Sequence, residues 1–301
     1  MIKNSKIGAY LLVNIATLFW ASNIALGRAL RDQIGPVSLS AARFLVGGLI
    51  YAVLFQAIAR NQASAPTNEG VKNHGRWHTL ILAGMGLSGV FAFPILLYQG
   101  LKYTTAAHAA MIIATGPLFT LLFSAVLLRQ KVRIKSIAGM LISLVGVGFV
   151  IGAEALVPGG QAKVNPGDLL ALAASALWGL YSVLARMAIQ SRSTFSATAL
   201  STWMAIPFLV IAGGVELQSV AFTPTPQVLL GAVYIGIFPT VISFLAWNEG
   251  IRRVGPGQAM AFYNMLVVYG ALLGALFLGE ALTWQVLLGG ALVVAGGVTA
   301  A

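Results

Sequence analysis

The chain predicts an all-α polytopic membrane protein, with ten transmembrane helices arranged as two inverted five-helix repeats around a central cavity. Three observations carry that prediction. Of 301 residues, 58% are hydrophobic and only 8% are charged, about a third of the charge that coats a soluble globular domain; mean hydropathy is +0.89. The apolar residues fall into ten runs, each near the ~20 residues that cross a bilayer as a helix: 7–28, 36–59, 77–100, 104–128, 134–153, 167–189, 195–214, 225–250, 255–278 and 283–300. The second five runs also repeat the first at fixed offsets. Trp20 and Trp178 lie 158 residues apart, as do Arg28 and Arg186, while Gly100 and Gly250, Gln130 and Glu280, and Gly139 and Gly289 lie 150 apart.

The first run follows Lys3 and Lys6 but is too long, and has no cleavage region behind it, to be a signal peptide, so it is read as retained. After the second run comes the longest polar stretch, Arg60 to Arg76, with Asn61, Gln62, Pro66, Asn68 and Asn73 and no apolar periodicity. It is longer than its counterpart after the seventh run, which accounts for the change of offset. The repeats are therefore expected at 1–153 and 154–301. Five helices is an odd number, so the halves insert with opposite orientations. Such inverted repeats characterise secondary transporters, whose site lies near the midplane where the repeats meet. Pro94, Pro117, Pro207 and Pro239 interrupt the third, fourth, seventh and eighth runs; Pro117 and Pro239 are the candidate hinges. Gly148 with Gly152, and Gly270 with Gly274, form GxxxG pairs that allow close helix approach.

Charge sets the expected topology. Of the 18 Lys and Arg, 13 lie in loops on the N-terminal side, four lie on the other side, and Arg43 falls within the second run. Both termini are therefore expected in the cytoplasm of a bacterial-type inner membrane. The formal charge of +11 sits in short loops between apolar runs, which is membrane topology rather than a nucleic-acid-binding face. The absence of cysteine excludes disulfides and thiolate chemistry, and no metal or organic cofactor is expected. The expected partners are a small-molecule substrate and the bilayer, with a monomer as the expected state.

Candidate substrate-binding residues follow from polar and aromatic groups placed deep in apolar runs. Trp20 and Trp178 lie near the centres of theirs rather than at headgroup level. Helical spacing adds Thr17 and Asn23 to the Trp20 face, and Ser175 and Tyr181 to the Trp178 face. These are cavity walls or bulky packing at the repeat interface; on the first reading, Trp178→Ala impairs transport and leaves folding intact. Tyr263 and Asn264 in the ninth run face water, or Asn264 bonds a neighbouring helix. His108 reaches a substrate carboxylate or carries a proton, against the plainer reading of a hydrogen-bonded histidine near the outer end of the fourth helix. Tyr98 and Trp247 frame gates or pack an interface. Arg43 is read first as reaching the outer headgroups or loop carbonyls, with carboxylate binding as the alternative. All seven acidic residues lie in loops or at run ends, which favours facilitated diffusion or exchange over ion coupling through a mid-membrane carboxylate.

Several segments together resemble the drug/metabolite transporter superfamily, in particular its EamA-type members. They are Trp20 and Trp178, Ser40-Ala41-Ala42-Arg43-Phe44, Ala109 to Pro117 with Leu127-Leu128-Arg129-Gln130, and Leu278-Gly279-Glu280-Ala281-Leu282. The glycines Gly146, Gly148, Gly289, Gly290, Gly296 and Gly297 add to them. Gln130 departs from the glutamate usual at its place. The resemblance implies a basket of ten helices exporting small metabolites, many of them amino acids, and length and topology resemble most the aromatic amino-acid exporters of the YddG type. Competing readings are carriers or proton antiporters for sugars, nucleotide sugars, drug-like molecules or lipid-linked amphiphiles. An intramembrane enzyme lacks support: there is no HExxH, no paired mid-membrane carboxylate and no Gly-x-Ser-x-Gly.

Overall fold

In the computed structural model, which describes residues 6–62, 75–130, 134–151, 165–220 and 222–300, every regular element is helical. The first part contains α1 (Lys6–Leu30), α2 (Pro36–Gln62), α3 (Arg76–Met85), a π-helical stretch π1 (Gly86–Ala92), α4 (Phe93–Gly100), α5 (Ala106–Ile113), α6 (Gly116–Leu127) and α7 (Ile134–Ile151). The second contains α8 (Pro166–Ala188), α9 (Thr194–Glu216), α10 (Pro226–Ile235), π2 (Gly236–Ile242), α11 (Ser243–Tyr263), α12 (Met265–Leu278) and α13 (Trp284–Ala300). Among the described residues seven stretches are long and apolar enough to cross a bilayer: Lys6–Leu30, Pro36–Ala57, Arg76–Gly100, Ala106–Leu127, Pro166–Ala188, Thr194–Glu216 and Pro226–Val254. The shorter apolar helices Ile134–Ser143, Met265–Leu278 and Trp284–Gly296 lie within the remaining three predicted runs. Leu276 and Phe277, each 75% exposed, present the apolar surface that lipid covers and water would not tolerate.

The helix bounds repeat as the sequence does. The paired stretches α3–π1 and α10–π2 start and end 150 residues apart, and α2 and α9 start 158 apart. The halves interleave rather than sit side by side: α1 lies along α11 and α12, α8 along α4 and α6, α2 against α9, and α7 against α13. The expected boundary at 153/154 lies outside the described residues, as do Gly152 of its GxxxG pair and most of the 60–76 loop. Gly270 of the other pair lies where α12 crosses α5, so close that an added Cβ would stand 2.2 Å from that of Ala110.

The predicted third and eighth runs are each broken by a π-helical stretch in mid-span, and the fourth by a turn at Ala114–Thr115. A π turn leaves the i−4 carbonyl ladder out of register, and local hydroxyls bond carbonyls there. Ser88 donates to the Gly84 carbonyl at 2.7 Å, Thr240 to that of Ile235 at 2.8 Å, and Ser243 to that of Phe238 at 2.9 Å. Pro239 lies within π2, Pro94 in the first turn of α4 and Pro117 in the first turn of α6, whereas Pro207 sits inside a continuous α9.

One expectation fails. Sequence divides the eighth and ninth helices at 250–255, but α11 runs through to Tyr263 and the chain breaks at Asn264. The reason is local. Glu249 takes Arg252 Nε and Arg253 Nε at 2.7 Å each, ion pairs at the i+3 and i+4 spacings that hold a helical turn together. The break at Asn264 matches that at Ala114, 150 residues earlier.

Candidate functional site

The aromatic residues singled out in the sequence meet at the centre. Trp20 on α1 and Trp178 on α8 stand edge to face at 4.8 Å between centroids, and Tyr263, at the end of α11, lies parallel to Trp178 at 6.1 Å. Such arrangements suit the ring quadrupoles. Phe244 and Trp247 of α11 complete the cluster around both tryptophans. A narrow cavity opens here, walled by Trp20, Asn23, Ile24, Arg43, Phe93, Leu97, Ile113, Trp178, Phe244, Tyr263 and Leu266. In this state it has room for little more than a water molecule, so a cargo enters only as these rings part.

The helix interruptions build this site. The π2 stretch turns the Pro239 carbonyl towards α1, where it accepts Trp20 Nε1 at 3.0 Å, and offers the neighbouring Thr240 hydroxyl to Arg43 Nε at 2.9 Å. Ser175, one turn before Trp178, donates to the Ile113 carbonyl at 3.1 Å and pairs with Thr115 at 2.9 Å, so α8 ties down the break between α5 and α6.

Of the sequence candidates, Trp20, Asn23, Trp178 and Tyr263 line the cavity. Tyr98 stands one layer back: its hydroxyl donates to Asn23 Oδ1 and accepts from Arg43 Nη1 at 3.0 Å. Tyr181 stacks behind Trp178 at 4.9 Å, and its hydroxyl accepts from Asn248 Nδ2 at 3.0 Å. Asn264 is buried at the break beyond Tyr263, with neither side-chain polar atom partnered among the described residues; it is not a cavity wall. His108 stands apart from the cavity, with Nδ1 3.7 Å from Asp168 Oδ2, while Asp168 also accepts from the Thr104 hydroxyl. At that separation the pair is a near contact rather than a hydrogen bond. Of the candidate hinges, Pro239 touches the site through its carbonyl, and Pro117 follows the α5–α6 break.

The residue that sequence reasoning undervalued is Arg43. It does not reach for headgroups: it is 2% exposed and turned inward, with Nε on Thr240 and Nη1 on Tyr98 and, at 3.5 Å, on Asn23 Oδ1. Phe44 covers its guanidinium at 4.7 Å. Phe93 and Phe244, which also went unnoticed, give no signal beyond an apolar run.

The chain matches known proteins over nearly its whole length. The model of the EamA-like transporter family fits twice, over residues 7–152 and 165–300. The uncharacterized transporter YyaM of Bacillus subtilis is 25% identical over 261 residues, 86% of this chain and 82% of its own. A probable terminal-alkyne amino-acid exporter of Streptantibioticus cattleyicolor is 25% identical over 294 residues, 98% and 93% of the two chains. The aromatic amino acid exporter YddG of Ancylobacter novellus is 27% identical over 257 residues, 83% and 81%. A crystal structure of a protein 24% identical shares the fold with a TM-score of 0.67, covering 98% of this chain and 97% of the other. With two successive family matches spanning nearly all of its described helices, this multi-pass membrane protein belongs to the EamA-like transporter family.

Proposed function

We propose that the protein is a secondary transporter that exports small neutral or zwitterionic metabolites, foremost amino acids with aromatic or apolar side chains. It acts across a bacterial inner membrane, with both termini in the cytoplasm. The observation that carries this reading is the central cavity, whose walls are aromatic and aliphatic except where Asn23 and Arg43 line it. As the rings part, a flat apolar side chain stacks against Trp20, Trp178 and Tyr263, and its polar head meets Asn23 and Arg43. Amino-acid exporters among the relatives support the same cargo.

Transport proceeds by alternating access, with the two five-helix repeats rocking about the cavity and bending at Pro117 and Pro239. No mid-membrane carboxylate takes part, so the carrier exchanges or equilibrates its cargo without obligatory ion coupling. The test is counterflow. Proteoliposomes loaded with unlabelled amino acid and given no ion gradient receive trace labelled phenylalanine, tryptophan, methionine or threonine. Protein-dependent accumulation, strongest for the aromatic pair, is the expected result. No accumulation of any of the four by folded protein refutes the reading.

A further inference from the structure

We propose that Arg43 is the specificity-determining residue that takes the carboxylate of the cargo, with Asn23 as its neutral partner. The inference rests on the amino-acid reading of the cavity and names how that cargo is recognised.

A guanidinium buried in a bilayer-spanning bundle ordinarily has an anion beside it, because taking a lone charge out of water is costly. Arg43 has none: among the described residues no carboxylate comes within 4.0 Å of it, the ion pairs lying elsewhere. Its partners are neutral oxygens whose own protons are committed. The Thr240 hydroxyl donates to the Ile235 carbonyl and the Tyr98 hydroxyl to Asn23 Oδ1, so both can only accept from the arginine. The network orients the cation without neutralising it.

The same network decides what faces the cavity. Arginine can only donate, so the Asn23 atom that meets it and Tyr98 must be the oxygen. That leaves Asn23 Nδ2 and Arg43 Nη2 without a hydrogen-bond partner among the described residues, on two residues that line the cavity. The Trp20 indole N–H is already spent on Pro239. The polar end of the cavity therefore offers donors and a positive charge and no free acceptor from these residues, which fits a carboxylate and disfavours an ammonium, while an amide head brings an acceptor oxygen but no charge to meet the cation. The ammonium of a bound zwitterion is left to the ring faces, which attract cations.

Competition against labelled phenylalanine in the counterflow assay tests this on the full chain. Phenylalanine and 3-phenylpropionate should compete, while phenylalaninamide and phenethylamine, which lack the carboxylate, should be weaker on the order of a hundredfold, since a site built to bond a group rejects analogues without it. Arg43→Gln should lose that preference, and Arg43→Lys should retain it with weaker affinity. Competition by the amide and the amine within a few-fold of phenylalanine in the wild type overturns the role of Arg43 and leaves the amino-acid reading standing. So does a folded Arg43→Gln variant that still prefers carboxylates. If Arg43→Gln does not fold, the wild-type series decides alone. Absence of counterflow for phenylalanine, tryptophan, methionine and threonine alike overturns both.

Discussion

Replacing Glu280 by glutamine should open the junction between the end of α12 and the start of α5. Gly279 ends α12 in the left-handed conformation, with φ of 63°, which glycine adopts without a Cβ clash. The chain then folds back so that Glu280 N–H reaches the Gly274 carbonyl at 3.2 Å. The Glu280 carboxylate accepts the N–H groups of Ala106 at 2.8 Å and Ala107 at 3.0 Å, while the Thr105 hydroxyl takes that of His108 at 3.1 Å. The leading donors of α5, which no helical carbonyl can satisfy, are thus covered, two of them by an anion at the positive end of the helix dipole. Glutamine keeps one acceptor and turns an N–H₂ towards the other donor. The loss is one charge-assisted hydrogen bond, about 1.5 kcal/mol for this half-buried group, and about 0.5 kcal/mol of dipole interaction. About 2 kcal/mol raises the opened population about 30-fold. The chain contains no cysteine, so a single Ala106→Cys reports opening through its maleimide labelling rate in proteoliposomes. Labelling with Glu280→Gln that stays within threefold of the parent, with an unchanged thermal midpoint, would refute the argument.

Three further outcomes follow from the same geometry. Gly270→Ala sets two Cβ atoms, neither able to rotate away, 2.2 Å apart and should destabilise by about 1–3 kcal/mol; adding Ala110→Gly should recover most of it, and a double-mutant cycle with no coupling would count against the contact. Arg129 has a positive φ of 52° at the place corresponding to Gly279, so Arg129→Gly should stabilise by about 0.5–1 kcal/mol once relieved strain is set against greater unfolded-chain freedom, measured by denaturant unfolding in detergent. Trp178→Ala should cost about 3–5 kcal/mol as well as transport, because Trp178 is 1% exposed; a wild-type thermal midpoint for it would contradict that burial. The sequence expectation that this variant leaves folding intact is therefore revised, and Trp178→Phe, which keeps an aromatic ring at the wall, is the better probe of cargo preference.

What could be read from the sequence was whatever repeats or alternates. Apolar runs located nearly every helix, and the offsets of 150 and 158 foretold paired bounds down to π1 and π2, although nothing in either stretch announces a π turn. The proline of π2 is Pro239, whereas the nearest in the first half, Pro94, falls just after π1. The 250–255 break was misread because glycine and proline there suggested a turn, while the Glu249 pairs with Arg252 and Arg253 hold helix. For Arg43 the difficulty was distance. Whether an arginine near a helix start snorkels outward or turns inward depends on what waits inside, and its partners Asn23, Tyr98 and Thr240 lie 20, 55 and 197 residues away. Periodicity gives a face, not the depth of that face or its neighbours.

The repeat symmetry makes the asymmetry of the site informative. Trp20 and Trp178 occupy equivalent places, as do Asn23 and Tyr181, but Phe244, Trp247 and Tyr263 of α11 correspond to Pro94, Leu97 and Ile113, so only the tryptophan pair from α1 and α8 follows the repeat. Arg43 has no such twin: 158 residues on stands Ser201, whose hydroxyl merely bonds the Thr198 carbonyl of its own helix at 3.0 Å. Ring faces take a flat cargo in either orientation, whereas a cation on one side only makes the two ends of the cavity unequal. A zwitterion held there is therefore oriented by Arg43 rather than by the rings, with the rings supplying most of the contact and the arginine the direction. On this division, changes to Trp20 or Trp178 should alter which side chains are carried, and changes to Arg43 which head groups. Competition series on the two kinds of variant should therefore separate; variants of both kinds that shift the same series in the same way would show that centre and cation act as one unit.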